Sequence, residues 1–261
     1  MNRYTGKHLM HTSHPIPWLE IDSPLPSPET AQRKGSDLEG LVAAGGGLSV
    51  ARLCEAYSQG IFPWFSEGQP VLWWSPDPRM VLQVERFRLH RSLRKTLHKF
   101  TTAANTEIRI DSAFGQVIRH CAGFSRPGQN GTWIVQDMIH AYEALHAAGH
   151  AHSVETWIDG HLVGGLYCVA MGQALFGESM FALQTDASKI ALAALVAFAK
   201  AHQVAWIDCQ QNTPHLASLG AGEIARSQLL ADIQAARQRP ALVWEFQSIY
   251  WNELMPTQHL P

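Results

Sequence analysis

An α/β layer architecture is predicted by three features of this 261-residue sequence. Segments 153–158 and 161–171 are strand-like and meet at Asp159-Gly160, a favoured two-residue hairpin turn. A third apolar segment, 174–181, follows the turn at Gly172. Ten uninterrupted apolar residues, 190–199, then form a helix that crosses back to a strand over 204–210. That run is half the length a membrane span requires, so it reads as a core helix.

The remaining elements follow in chain order. Pro15, Pro17, Pro24, Pro26 and Pro28 predict loops and an extended lead-in over residues 1–36. Ser49 caps a helix running to about Gln59, with Leu53, Ala56 and Tyr57 on one face and Gly60 as its stop. Trp64, Trp73 and Trp74 then fall in a short proline-punctuated stretch, as core filling or as a platform for a stacked base. Met138, Ile139, Tyr142 and Leu145 recur at helical spacing, and Gly149 ends that helix.

Composition narrows the class. Apolar residues make up 46% and charged residues 16%, which excludes a disordered or fibrous chain, and a chain of this length buries about 70–75% of its unfolded surface. The four cysteines form no C-x-x-C pair and read as reduced thiols. His146 and His150 have the spacing of metal ligands, but the H-E-x-x-H glutamate is absent, so no metal is expected, nor any cofactor. Gly45-Gly46-Gly47 lacks the following Gly-Lys-Ser/Thr of a phosphate loop and reads as a turn. Ser179 has Phe181 where a hydrolase elbow has its second glycine. No export signal is legible, and the cytoplasm is the expected compartment.

The net charge of −2 conceals a separation along the chain. Between Arg86 and Arg126 there are nine cations and two acids, beginning with Arg86, Arg88, Arg91, Arg94, Lys95 and Lys99. That stretch reads as a solvated helix face or as a surface that neutralises phosphates. Residues 127–188 hold six acids and no Lys or Arg, a segment suited to an amine or guanidinium ligand. Strand alternation puts Trp206, Asp208 and Gln210 on one face, and Phe176, Glu178 and Met180 on another. Polar groups in apolar strands need partners, either in the core or in a site.

Read together, these segments resemble the leucyl/phenylalanyl-tRNA–protein transferases. The matching segments include Gly40-Leu-Val-Ala-Ala-Gly-Gly46, Gly60-Ile-Phe-Pro-Trp-Phe65, Leu72-Trp-Trp-Ser-Pro-Asp-Pro-Arg79 and Gly131-Thr-Trp-Ile134. They continue through Gly149-His-Ala-His-Ser-Val-Glu155, Gly177-Glu-Ser-Met-Phe181, Ile207-Asp-Cys-Gln210 and His215-Leu-Ala-Ser-Leu-Gly220. The resemblance implies a small N-terminal domain, 1–80, followed by an acetyltransferase-like domain, 81–261, with a mixed, mostly antiparallel sheet. It also implies transfer of Leu or Phe, less readily Met, from aminoacyl-tRNA to the N-terminal Arg or Lys of a protein, which marks that protein for degradation. Leu-tRNA, Phe-tRNA and such proteins are the implied partners, with no membrane or metal involved.

By the same resemblance Asp208, Gln210 and Glu178 are the expected catalytic residues, and Tyr57 lies in the matching N-domain helix. Trp64 and Trp133 match aromatics near the terminal adenosine. Leu166, Leu175, Met180, Leu192, Leu195 and Ile207 are expected to line the side-chain pocket, and the basic stretch to meet tRNA. Asp208 and Gln210 are expected to orient the amine and Glu178 to select a cationic acceptor. Two departures stand out: Gly47 replaces the family's usual Asp, and Ala182-Leu183 replace a Ser-Arg pair, removing a cation that could meet phosphate. An acyl-CoA acetyltransferase would need a glycine-rich pyrophosphate loop before the core helix, which residues 184–188 lack. A non-catalytic reader of basic N-termini would need neither the basic stretch nor the apolar pocket.

Overall fold

The computed structural model describes residues 15–123 and 134–256. Four short strands, β1 (Trp18–Leu19), β2 (Leu41–Gly45), β3 (Phe62–Pro63) and β4 (Leu72–Trp74), form one sheet in the order β1-β2-β4-β3. The lead-in is therefore not all loop, because Trp18 and Leu19 pair in parallel with Ala44 and Gly45. Helix α1 (Val50–Ser58) follows β2, and Ser49 caps it by accepting a hydrogen bond from the Arg52 amide.

The larger sheet has seven described strands. They are β5 (Arg79–Gln83), β6 (Thr106–Ile110), β7 (Ala151–Ile158), β8 (His161–Met171), β9 (Ala174–Ala182), β10 (Trp206–Asp208) and β11 (Gly222–Ile224), in the order β11-β5-β10-β9-β8-β7-β6. β9 and β10 run parallel, and the other neighbours are antiparallel. Asp159 and Gly160 both have positive φ in the β7–β8 turn, as a type I′ hairpin needs.

Two cores cover the two faces of this sheet. Helix α2 (Arg91–Thr102), helix α5 (Ala187–Ala201) and the segment around Trp251 pack on one. Helices α1, α3 (Phe114–Gly123), α4 (Gln136–Ala147) and α7 (Arg226–Ala236) pack on the other, in the same core as Leu19, Val42 and Trp73 of the smaller sheet. Along β8, Tyr167 and Val169 belong to that second core and Leu166 and Cys168 to the first, so alternation assigns each residue its layer. Alanine-rich α5 lies close over β8: a Cβ on Gly164 would stand 2.5 Å from the Cβ of Ala187.

Two strand readings need correction. The strand expected over 204–210 ends at Asp208, and Gln210 adopts φ 58°, so Gln210 does not share a strand face with Asp208. In β9, Cys168 pairs with Gly177 and Tyr167 with Ser179, leaving Glu178 as the extra residue of a β-bulge. The bulge inverts the alternation. Phe176 lies in one core and Met180 packs against the other, instead of sharing a face.

The acidic segment disperses in space. Glu155 is sealed in the protein, accepting from the Ala113 amide (2.7 Å), Ser153 Oγ (2.7 Å), Trp157 Nε1 (2.9 Å) and Ser112 Oγ. Glu143 pairs with Arg119, Asp186 with Lys189, and Asp159 accepts from Asn105. The histidines are engaged too: His146 Nδ1 meets the Ala151 carbonyl, and His152 Nδ1 meets Asp111. Among the described residues, no helix is long and apolar enough to cross a membrane.

The close β8–α5 approach predicts that Gly164→Ala destabilises the protein by about 1–3 kcal/mol, the usual cost of overpacking, read as a lower midpoint of urea unfolding.

Candidate active site

The site begins with a buried charge. Arg79 opens β5 just before the apolar Met80-Val81-Leu82, and its guanidinium is sealed from water. It meets Asp208 at the end of β10 in a bidentate pair, Nε–Oδ1 2.9 Å and Nη2–Oδ2 2.7 Å. Its third nitrogen donates to the carbonyl of Gly60, just beyond α1, at 3.0 Å, and the group lies over the Phe62 ring at 4.8 Å. Asp208 has a further partner, the Gln210 amide at 2.9 Å. This bond holds the left-handed turn that ends the strand and swings the Gln210 side chain to Glu178, Nε2–Oε1 3.2 Å.

The bulge in β9 presents Glu178 at this point. Tyr57 of α1 donates to its Oε1 at 2.8 Å, Tyr142 of α4 approaches Oε2 at 3.4 Å, and the two phenols hydrogen-bond to each other. Burial raises the carboxyl pKa to about 8, aided by the charge of Asp208 and opposed by the two phenol donors and Arg79. Burial also pushes the Cys209 thiol up to about 12, so no thiolate nucleophile is present near neutral pH. Tyr57 and Tyr142 are raised well above the usual phenol value by burial and by Glu178, and remain protonated donors.

A cavity of about 440 Å³ opens on this cluster. Leu166, Met180, Leu192, Leu195 and Ile207 line its apolar part, and Glu178 and Gln210 its polar part. Trp64 also lines it and stands edge-on to Trp74, whereas Trp73 is wholly buried core. Helix α6 (Pro214–Ser218) contributes His215 and Leu216 at the margin.

Of the pocket residues expected from sequence, Leu175 alone is not on the cavity wall; it lies sealed in the core beneath α5, one position from Phe176 on the opposite face. Asp208 does not reach the cavity either, because Arg79 occupies its carboxylate, so it cannot touch a ligand there, and its link to the cavity is the hydrogen bond from the Gln210 amide. Tyr57 is likewise sealed and touches Glu178 rather than the cavity. Trp133 lies outside the described residues.

The basic stretch is an exposed face. Arg91, Arg94, Lys95 and Lys99 project from α2, which buries Leu93, Leu97 and Phe100, while Arg86 and Arg88 precede it and are also exposed. None of the six forms an ion pair with a described residue. The Arg88 amide donates to the Leu219 carbonyl (2.8 Å), and His90 Nε2 meets the Ser218 carbonyl (2.8 Å), so this face abuts α6 beside the cavity.

Two family profiles match the chain: the leucyl/phenylalanyl-tRNA protein transferase N-terminal domain over residues 46–77, and leucyl/phenylalanyl-tRNA protein transferase over residues 81–234. A leucyl/phenylalanyl-tRNA–protein transferase of Polaromonas sp. is 57% identical over 94% of this chain and 96% of its own length. The protein of the same name from Leptothrix cholodnii is 58% identical over 92% and 95%. This chain belongs to the leucyl/phenylalanyl-tRNA–protein transferase family. It is an aminoacyl-tRNA–protein transferase, an acyltransferase that moves an amino acid from tRNA to a protein N-terminus. Among solved structures, a GCN5-related N-acetyltransferase from Kribbella flavida aligns at 11% identity over 66% of this chain and 59% of its own, with a TM-score of 0.31.

Sequence reasoning missed two members of this cluster. Arg79 closes the Leu72–Arg79 motif, and a cation directly before an apolar strand signals a buried partner, yet that partner is 129 positions away. Tyr142 read as one more apolar position on a helix face, because its hydroxyl acquires a role only where α1, α4 and β9 meet.

Removing the charge of Asp208 strands a buried guanidinium. Asp208→Asn is expected to cost about 3–5 kcal/mol in urea unfolding, with much of it recovered when Arg79→Met is added. Glu178 has the opposite sign. Its folded pKa of about 8 exceeds the ordinary 4.5, so the folded state holds an extra proton between these values, and this group's contribution to stability falls as pH rises through that window. Glu178→Gln should therefore raise Tm relative to the wild type, with the difference growing from pH 5 to pH 8.

Proposed function

We propose that this chain transfers Leu or Phe, and Met more slowly, from aminoacyl-tRNA to proteins that begin with Arg or Lys. The observation that carries the reading is a single cavity whose apolar part, lined by Leu166, Met180, Leu192, Leu195 and Ile207, is continuous with a polar part at Glu178 and Gln210. The donor's side chain would fill the apolar part, with burial contributing about 25 cal/mol per Å². Such a pocket separates side chains differing by a methylene by only about 1–3 kcal/mol, so Met would be a slower donor rather than an excluded one.

The aminoacyl ester is already activated, and holding an amine against its carbonyl supplies about 7–11 kcal/mol of the barrier. Gln210 would orient that amine, held in place by Asp208 through its backbone amide. Glu178 is the carboxyl that faces the cavity among the described residues, and a cationic acceptor beside it would favour its ionised form. Trp64 offers an aromatic surface at the cavity wall for the terminal base. The exposed cations of α2 and the preceding turn would hold the phosphates of the acceptor stem. The product would carry a destabilising N-terminus for the degradation machinery, and we place this activity in the cytoplasm, where charged tRNA is available.

The decisive assay incubates the protein with labelled Leu-tRNA and an Arg-initiated peptide, without CoA or ATP. Label should enter this peptide and enter an Ala-initiated one far more slowly; a requirement for acetyl-CoA would overturn the reading. Donor binding should weaken steeply with salt, and Arg91→Ala with Lys95→Ala should flatten the log–log slope by about 0.7–0.9 for each phosphate no longer neutralised.

A further inference from the structure

Aminolysis of an ester needs one internal proton movement: the attacking nitrogen must lose a proton, and the departing 3′ oxygen must gain one. Asp208 is closed off by Arg79, and the Cys209 thiol holds its proton well beyond neutral pH. Glu178 faces the cavity and is surrounded by groups that can follow a change in its protonation. Three oxygen-to-oxygen contacts link it with two phenols, Tyr57 to Oε1, Tyr142 to Oε2, and Tyr57 to Tyr142. Two phenol protons fill only two of these contacts, and the third is completed when the carboxyl itself carries a proton. As the anion, Glu178 receives phenol protons; as the acid, it donates into the same ring of contacts. Neither state leaves an unpaired buried group, which is the condition under which a desolvated carboxyl can change charge cheaply.

We propose that Glu178 carries the proton from the attacking amine to the leaving 3′ oxygen, and that Tyr57 and Tyr142 are the positioning pair that stabilise its carboxylate form. This inference rests on the transferase reading above. The neutral amine forms the C–N bond at the ester carbon, and the nitrogen of the resulting adduct passes a proton to a Glu178 oxygen. The Glu178 acid then delivers that proton to the 3′ oxygen as the C–O bond breaks. Amide and free 3′-hydroxyl are formed, the carboxylate is restored, and no oxidant or cofactor is consumed.

The titratable and charged groups around Glu178 are Tyr57 of α1, Tyr142 of α4, Cys168 and Tyr167 of β8, Cys209 and Asp208 of the β10 end, and Arg79 of β5, with His215 of α6 on the wall of the same cavity. A carboxyl held near pKa 8 is populated in both protonation states near neutral pH, as a group that takes up a proton and then returns it requires.

The test is the pH profile of single-turnover Leu transfer from Leu-tRNA to one Arg-initiated peptide, run with the full chain. The amine's own titration is common to every variant, so displacements between profiles belong to the protein. Tyr142→Phe and Tyr57→Phe remove a donor to the anion and should each move the acid limb upward, by about one pH unit for the shorter Tyr57 hydrogen bond. Glu178→Gln should slow transfer and leave an acid limb that depends on one proton fewer. Thermal unfolding of each variant shows that it is folded, and should Tyr57→Phe fail, Tyr142→Phe carries the test. A uniform loss of rate in the Phe variants, with the limb unmoved, would reduce the tyrosines to packing. An unchanged limb in a wild type and Glu178→Gln that both transfer would overturn Glu178 as the proton carrier. A wild type that labels no peptide at any pH would instead sink the transferase reading itself.

Discussion

The buried pair of Arg79 and Asp208 is the constraint on which the site depends. Two charges sealed from water persist only when nearly every donor and acceptor is filled. Here Asp208 takes the guanidinium on both oxygens and the Gln210 amide as well, while Arg79 spends its remaining nitrogen on Gly60. One interaction thereby joins β5 to β10, anchors the end of α1, and sets the bend that aims Gln210 at Glu178. An apolar pair of equal volume could match its stability, but would leave Gln210 without the acceptor that fixes its backbone.

Glu178 shows a second tension. A carboxyl held among phenols and apolar walls is worse for stability than a glutamine would be above pH 5, and the fold tolerates it beside the cavity. The β-bulge makes this placement possible: the extra residue in β9 leaves the ladder, so its side chain reaches α1 and α4 without displacing Phe176 or Met180 from their cores.

Charge along the chain and charge in space diverge. The basic stretch stays together because it lies largely on one helix, where Leu93, Leu97 and Phe100 turn inward and the cations outward. The acidic stretch spans a helix, three strands and the turns between them, and these carry its carboxylates to separate partners. Only Glu178 among them reaches the cavity, so the expected acidic nook reduces to one carboxyl.

Local rules made much of the molecule legible in advance. Asp159-Gly160 could only be a tight turn, Ser49 a cap, and the ten-residue apolar run a sealed helix, because each follows from backbone sterics, one short-range hydrogen bond or an unbroken apolar surface. Five of the apolar residues that the family resemblance implied for the pocket line this cavity. Tertiary packing decided the rest. Period-two alternation assumes an uninterrupted ladder, so it could not foresee the bulge that turns Met180 and Glu178 or the stop after Asp208. Arg79 and Tyr142 find their partners across more than 30 residues, where proximity is created by layers closing on one another and no local pattern records it.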